Sequence, residues 1–422
     1  MWLNMKRLIG IILFLWLTQL FAQHPAQLSL SRCIDLAIRN SYRLQADSSQ
    51  IRATEFTFRS ERSSYYPTIV GELSHDQLFY SPYDFRQQWA GVRLDWASGN
   101  TLLHSAEAYR ALIRAREEER EVARLKLMQR VSHLYFSILQ QELNLQLLTT
   151  RKQLLEEHLQ VSRALWQAGT RTELDVLQTR NALERLREEI VITEMERDTQ
   201  QQEFVQLLNL PPDQPINLKP YRADPDSLSK SPLLRTPGNV EQFPSLVALG
   251  FRARFHQLQQ RQVNATLFPE VQFHGGFQVD RDPTAEGNYW LVGIGLQFPL
   301  FQWGKSRFQR ETFRAQATSL TYQQKQMHRE IRIQAANLRH RLDKLLELYQ
   351  LQNNRLAINQ RAFQYARANY QAGLITNLDY LAAQQALIRN QLQLGQTRLA
   401  YLKSLIDYLI LTGREQVIEQ LN

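Results

Sequence analysis

Two short segments hold the polar side chains whose types and spacing could do chemistry. Trp166-Gln167-Ala168-Gly169-Thr170-Arg171-Thr172-Glu173-Leu174-Asp175-Val176-Leu177 returns about 204 residues later as Tyr370-Gln371-Ala372-Gly373-Leu374-Ile375-Thr376-Asn377-Leu378-Asp379-Tyr380-Leu381. Each copy has a glycine, Gly169 or Gly373, followed six residues on by an aspartate, Asp175 or Asp379. The first copy adds a cation, Arg171, where the second has Ile375. An acid so soon after a helix breaker suits the first turn of a new helix, whose unpaired amides carry partial positive charge. This is ionic and hydrogen-bonding chemistry, and it contains no nucleophile. Elsewhere the nine histidines show no metal-ligand spacing, and one cysteine, Cys33, allows neither a thiolate metal site nor an internal disulfide. The chain has no phosphate-cradling glycine loop and no nucleophile elbow. No enzyme, cofactor or metal is expected.

The elements that carry these segments follow from punctuation and periodicity. A second recurring pair, Tyr65-Tyr66-Pro67 and Leu267-Phe268-Pro269, has nearly the same offset, so a unit of roughly 200 residues is duplicated. No proline falls between Asn100 and Leu210 or between Lys305 and Asn422, and Gly169 and Gly373 interrupt these stretches at matching places. The spacing predicts long helices over about 101–167 and about 306–371, each on the order of 100 Å. Leu134, Ile138, Leu145, Leu159 and Trp166 step by threes, fours and their sums. So do Leu338, Leu342, Leu345, Tyr349, Leu356, Phe363 and Tyr370, the spacing of coiled-coil seams. Return helices are predicted over about 173–210 and about 377–412, so each half holds a coiled-coil hairpin with a glycine at its tip.

Ahead of each long helix the period changes from helical to alternating. Trp290, Val292, Ile294, Leu296 and Phe298 face one way against Gly293, Gly295 and Gln297, and Ala90, Val92, Leu94 and Trp96 do so against Gly91, Arg93 and Asp95. Hairpins are predicted over about 67–97 and about 269–301, with turn-rich loops at Ser81-Pro82-Tyr83-Asp84 and Asp282-Pro283-Thr284. Strands of about ten residues, apolar on one face and aromatic near their ends, suit a transmembrane β-barrel. Four strands cannot close a barrel around water, so several copies must assemble.

The N-terminus and the composition narrow the setting. Residues 1–22 read as a secretory signal peptide, with Lys6 and Arg7 before the apolar run Leu8–Leu17 and small-residue context at Ala22. Leu30-Ser31-Arg32-Cys33 is only faintly like a lipidation box, because Arg32 precedes the cysteine and the apolar run ends well before it; Cys33 reads as a small buried residue on the first helix. The net charge of +9 comes from bases interleaved with acids on helical stretches such as Arg114–Arg120, which argues against nucleic acid. The organisation expected is a signal peptide, a first repeat over 23–210, a linker rich in proline and acid over 211–244, and a second repeat over 245–422.

Taken in order, these motifs resemble the TolC-like outer-membrane efflux protein family. The likeness covers the duplicated unit, Pro67 and Pro269 opening the hairpins, the junction Gly293-Ile294-Gly295-Leu296-Gln297-Phe298-Pro299-Leu300-Phe301-Gln302-Trp303-Gly304, and the tip segment from Tyr370 to Leu381. The resemblance implies a mainly α fold with β: a homotrimer with a twelve-stranded barrel in outer-membrane lipid, continued by a periplasmic α-helical barrel. It implies a passive exit duct for efflux or secretion, working with a periplasmic adaptor and an inner-membrane pump of the RND or ABC type. A periplasm-spanning scaffold without transport and a diffusion porin are the rival readings.

The resemblance also carries roles to the tips. Asp379 matches the position where an aspartate from each protomer narrows the mouth, and three such carboxylates would attract cations and repel anions. The alternative for Asp379 is a helix cap, and both readings stay open at this point. Tyr370 matches the aromatic that ties neighbouring coils, with a place in the apolar seam as its other reading. Arg171 and Asp175 keep the basic and acidic types in the first copy, whereas Ile375 and Ala382 replace a base and an acid in the second. Fewer polar ties are therefore expected, with Leu374 and Ile375 contributing apolar closure. Gly169, Thr170, Gly373 and Leu374 match the tips that meet adaptor hairpins.

Overall fold

The computed structural model describes residues 27–80, 83–98, 100–212, 216–220, 224–230, 240–282, 285–297 and 299–420. The expected signal peptide, the loop residues Ser81, Pro82, Pro283 and Thr284, Phe298 of the junction, and linker residues 213–215, 221–223 and 231–239 lie outside the described residues. In chain order the elements are α1 (Leu30–Asn40), α2 (Tyr42–Ser63), β1 (Thr68–Tyr80), β2 (Tyr83–Ser98), α3 (Asn100–Gln167), α4 (Glu173–Leu207) and α5 (Pro225–Ser229). They continue with α6 (Pro244–Ala265), β3 (Glu270–Asp282), β4 (Ala285–Gln297), α7 (Lys305–Gln371), α8 (Asn377–Leu411) and α9 (Gln416–Gln420). The chain divides into two compact units, one comprising residues 42–123 and 240–332, the other the remainder.

The first unit is built on one antiparallel sheet in the order β1-β2-β3-β4, so a hairpin from each repeat pairs through β2 and β3. Register decides what each face carries. Ile69 lies opposite Leu94, Leu94 opposite Gly275 and Gly275 opposite Val292; the next row of that face is Gly71, Val92, Phe277 and Trp290. Because side chains alternate with period two, apolar residues collect on one face. No described residue covers that face: Leu73 is 88% exposed and Val292 84%. The other face carries Arg93, 2.8 Å from Glu72 and 2.9 Å from Asp95. The sheet is anchored where Trp96 Nε1 donates to the Tyr65 carbonyl at 2.8 Å. Beside it, α2 meets the start of α3 through Ser105, whose hydroxyl donates to Glu61 at 2.6 Å, and α6 meets α3 over Ala108, Ala111 and Leu258.

The second unit is helical. Leu148, Leu155 and Leu159 of α3 interlock with Val176, Leu183 and Leu186 of α4, and the seven-residue steps keep both stripes facing each other. α8 is the most deeply buried element, with Tyr401, Leu402, Leu405, Ile406 and Leu409 all in the core. The N-terminal segment joins the linker through a parallel bridge between Leu28 and Leu218, and Tyr135 Oη closes it by donating to the Lys219 carbonyl at 2.7 Å. Cys33 is fully buried on α1, and burial pushes its thiol up to about 12. Among the described residues, no helix is long and apolar enough to cross a membrane.

Leu155 is wholly buried at the centre of the α3–α4 seam. Leu155→Ala should destabilise the helical unit by about 2–5 kcal/mol through lost transfer energy and a residual cavity. Thermal unfolding followed by circular dichroism measures this, and an unshifted melt would show that the seam contributes nothing.

Candidate functional site

Both helical hairpins turn on a glycine in the left-handed region, with φ 71° at Gly169 and 78° at Gly373. The chain needs glycine there because a Cβ strains this backbone. The two turns close alike: Gly169 N–H donates to Trp166 O at 2.9 Å and Thr170 N–H to Leu165 O at 3.0 Å, while Gly373 donates to Tyr370 O at 3.0 Å and Leu374 to Asn369 O at 2.9 Å. These paired bonds satisfy the last carbonyls of α3 and α7.

Beyond the glycines the copies diverge. Thr170 adds a hydroxyl bond to Leu165 O at 2.8 Å, whereas Leu374 projects with 73% of its surface exposed. Thr376 and Asp379 form a capping box at the start of α8. Asp379 Oδ2 accepts from the Thr376 N–H at 3.0 Å and from its hydroxyl at 2.7 Å, and Thr376 Oγ1 accepts from the Asp379 N–H at 3.2 Å. The Thr376 hydroxyl and amide hold the exposed Asp379 carboxyl below the usual carboxylate range. Thr172 begins α4 with no side-chain cap bond. Asp379 is thus a helix cap in this chain.

Behind the turns lies a buried polar knot that joins the two repeats. Tyr370 is 1% exposed, and its hydroxyl lies 3.1 Å from Ser162 Oγ on α3. Arg171 reaches across from the first tip: its guanidinium sits 4.9 Å from the Tyr370 ring centre, and Nη2 donates to the Ile375 carbonyl at 2.8 Å. Ile375 itself packs against the cluster of Phe363, Tyr370 and Tyr380. Asn377 is fully buried; its Nδ2 donates to the Asp175 carbonyl at 3.0 Å and to Gln178 Oε1 at 3.2 Å, and Thr179 Oγ1 is 3.2 Å away. The amide N–H must point at Asp175 O, so Oδ1 faces His158 Nε2 at 2.8 Å, and the histidine must donate. The His158 ring stacks on Tyr380 with centroids 3.7 Å apart.

The structure therefore brings Tyr370, Arg171, Ile375 and the Asp175 backbone into one contact set. It leaves Leu374 outside that set and Asp379 on the exposed side of it. Sequence reasoning missed His158, Asn377, Ser162 and Thr179. A signal was present, because His158 and Ser162 follow Leu155 at steps of three and four, polar residues on an apolar stripe. Among the described residues no group of His, Cys, Asp and Glu could hold a metal ion.

The model of the outer membrane efflux protein family matches residues 33–210 and 240–414. The chain belongs to that family. It is an efflux channel of the outer membrane that extends into the periplasm, and its family is one of transport rather than catalysis. No curated protein matches the sequence. Among solved structures, this outer membrane efflux protein is similar to CusC at 18% identity and TM-score 0.79, covering 92% of each chain. It is similar to VceC of Vibrio cholerae at 15% identity and TM-score 0.79, covering 91% of this chain and 96% of that one. The CmeC channel of Campylobacter jejuni gives 15% identity and TM-score 0.77, over 93% and 89%. At such identities the likeness carries the fold alone.

Burial holds the His158 imidazole below its ordinary value of 6.5, outweighing the opposing pull of the Asn377 bond and of Asp175. The groups around it are Asp175 and Arg171 from the first tip, Tyr370 of α7, and Asn377 and Tyr380 of α8. The neutral, donating form fits the knot, so its stability is full above the unfolded value and is lost as pH falls towards the depressed folded one. Between about pH 7.5 and about pH 5, the melting temperature of the natural chain should fall further than that of His158→Gln, which keeps a donor towards Asn377. Parallel pH profiles for the two proteins would remove His158 from the account.

Proposed function

We propose that three copies close into a twelve-stranded barrel in outer-membrane lipid, continued by a periplasmic helical tunnel, and that the assembly is a passive exit duct. The observation that carries this is the sheet: four strands, two open edges at β1 and β4, and one apolar face left uncovered. In hydrocarbon an open edge leaves backbone amides and carbonyls unpaired, which closure with other copies removes. The aromatic belt at the sheet's end, where Phe301 and Trp303 are 70% and 86% exposed, fits the lipid headgroup level. A diffusion porin has no use for α3 and α7, at 68 and 67 residues.

The partners follow from the family: a periplasmic adaptor meeting the tips, and an inner-membrane pump of the RND or ABC type. Gly169, Thr170, Gly373 and Leu374 stand exposed at the turns, as an adaptor-contact surface requires. The gate lies just behind them. An open state of the MtrE outer membrane channel of Neisseria gonorrhoeae has been solved, which supports a channel that opens. Opening here breaks the Arg171 bond to Ile375 O and separates Tyr370 from Ser162. Asp379 caps α8 through Oδ2 and still presents its charge to solvent, so a ring of three at the mouth is compatible with its capping role. Asp175 lies deeper and contributes through its backbone carbonyl.

Loss of efflux on deleting the gene, read as raised accumulation of a dye, tests the duct; unchanged accumulation and secretion would leave only a scaffold. Arg171→Ala removes a charge-assisted bond of about 1.5 kcal/mol, so the closed-to-open ratio should drop roughly tenfold in planar-bilayer conductance. Asp379→Ala should weaken cation selectivity, and an unaltered reversal potential would count against the acidic ring.

A further inference from the structure

Within the helical unit, away from the tips, α3 and α8 leave a cavity of about 170 Å³ between them, and Pro220 of the linker bounds it on a third side. Its floor is apolar and buried, with Phe136 3% exposed and Leu402 4%. Its mouth reaches the surface, where Leu143 is 38% exposed and Gln146 and Pro220 are exposed too. Glu142 of α3 and Arg398 of α8 supply one charge of each sign to the lining. None of the tip residues takes part.

A pairing of glutamine with glycine shapes one wall. Gln140 lies against Gly395 of α8, where a Cβ would stand 3.1 Å from its Cδ and closer still to Nε2. Gly395 therefore lets the amide lie flat on α8 instead of filling the cavity. Nε2 donates to Asn144 Oδ1 at 2.8 Å, which holds the Gln140 side chain along α3. Leu139, Leu143 and Leu399 make the apolar walls beside it.

Size and lining together select the occupant. A cavity of about 150 Å³ lined by leucine, isoleucine and phenylalanine takes up benzene, so this one has room for a single ring. The apolar walls bury such a ring, and the few polar groups orient it. A charged ring gains from one of Glu142 and Arg398 but meets its like at the other. A neutral hydroxyl serves both, because it donates to a carboxylate and accepts from a guanidinium. Burial already holds the Glu142 carboxyl above its ordinary value, outweighing the pull of Arg197 on α4. A hydroxyl donor restores what that carboxylate has lost from water.

We propose that this cavity is a small-molecule site for neutral single-ring phenols. The ring packs on Phe136, Leu143 and Leu402, and its hydroxyl turns to Glu142 and Arg398. Because α3 belongs to the first repeat and α8 to the second, an occupant is held by both and ties them together. Every lining residue comes from one chain, so the site stands or falls apart from the trimeric reading above.

The test uses the full-length protein in detergent, titrated with 4-fluorophenol and followed by fluorine NMR, with protein-free micelles as the baseline. Binding should saturate with a Kd of ~1 mM, a level suited to a ligand of so few atoms. Leu143→Trp, a change at the part-exposed mouth, should occupy the cavity and weaken binding by about tenfold. Gly395→Ala, which drives Gln140 off α8 and into the cavity, should weaken it as well. At pH 7, 4-fluorobenzoate and 4-fluorobenzylamine should each bind several-fold more weakly than the phenol. A response that does not saturate, or that is the same in Leu143→Trp as in the natural chain, would mean partition into the micelle and overturn the site. Equal or tighter binding of either charged ring would overturn the assignment to phenols.

Discussion

Hydrocarbon offers no hydrogen bonds, and that constraint governs the rest of the molecule. A backbone amide or carbonyl left unpaired there costs several kcal/mol, so a sheet that enters lipid must have no edge. Among the described residues, one chain supplies four strands and two edges, with an apolar face that no described residue covers. Closure with other copies satisfies the edges and the exposed face together.

At the tips a different physics operates, that of polar groups withdrawn from water. Asn377, His158, Thr179 and the Tyr370–Ser162 pair lie in the interior, where an unpaired donor is expensive and a satisfied network is specific. The amide orientation of Asn377 fixes the proton on His158, and the His158 ring fixes Tyr380 by stacking. Such a knot has few alternative arrangements, so it holds the two tips in one defined geometry. Arg171 is the external member, bound to carbonyls rather than carboxylates, and a carbonyl bond is released without stranding a buried charge.

Much of this was legible in the residues. The alternation around Trp290 to Leu296 and the uninterrupted stretches after Asn100 and Lys305 show strand and helix directly, since both periods are local properties. The turn glycines were legible for the same reason. The knot was not, because its bonds join residues about 200 apart: Ser162 to Tyr370, His158 to Asn377, Arg171 to Ile375. The replacement of a base by Ile375 suggested a weaker set of polar ties at the second tip. The side chain is indeed apolar, but its backbone carbonyl takes the bond from Arg171, and carbonyls are invisible to residue type. Asp379 shows the converse, since its capping partner Thr376 was three residues away and readable as a capping box.

The duplication supplied two helical hairpins of like geometry, and the copies have diverged in charge. α4 carries nine acids and four bases, whereas α7 from Ile333 onward carries six bases and two acids. The same divergence acts at the tips, where the first copy kept Arg171 as donor and the second kept only the carbonyl of Ile375 as acceptor. There the repeat supplies two turns of equal geometry, and the substitutions between copies convert that geometry into a donor and an acceptor.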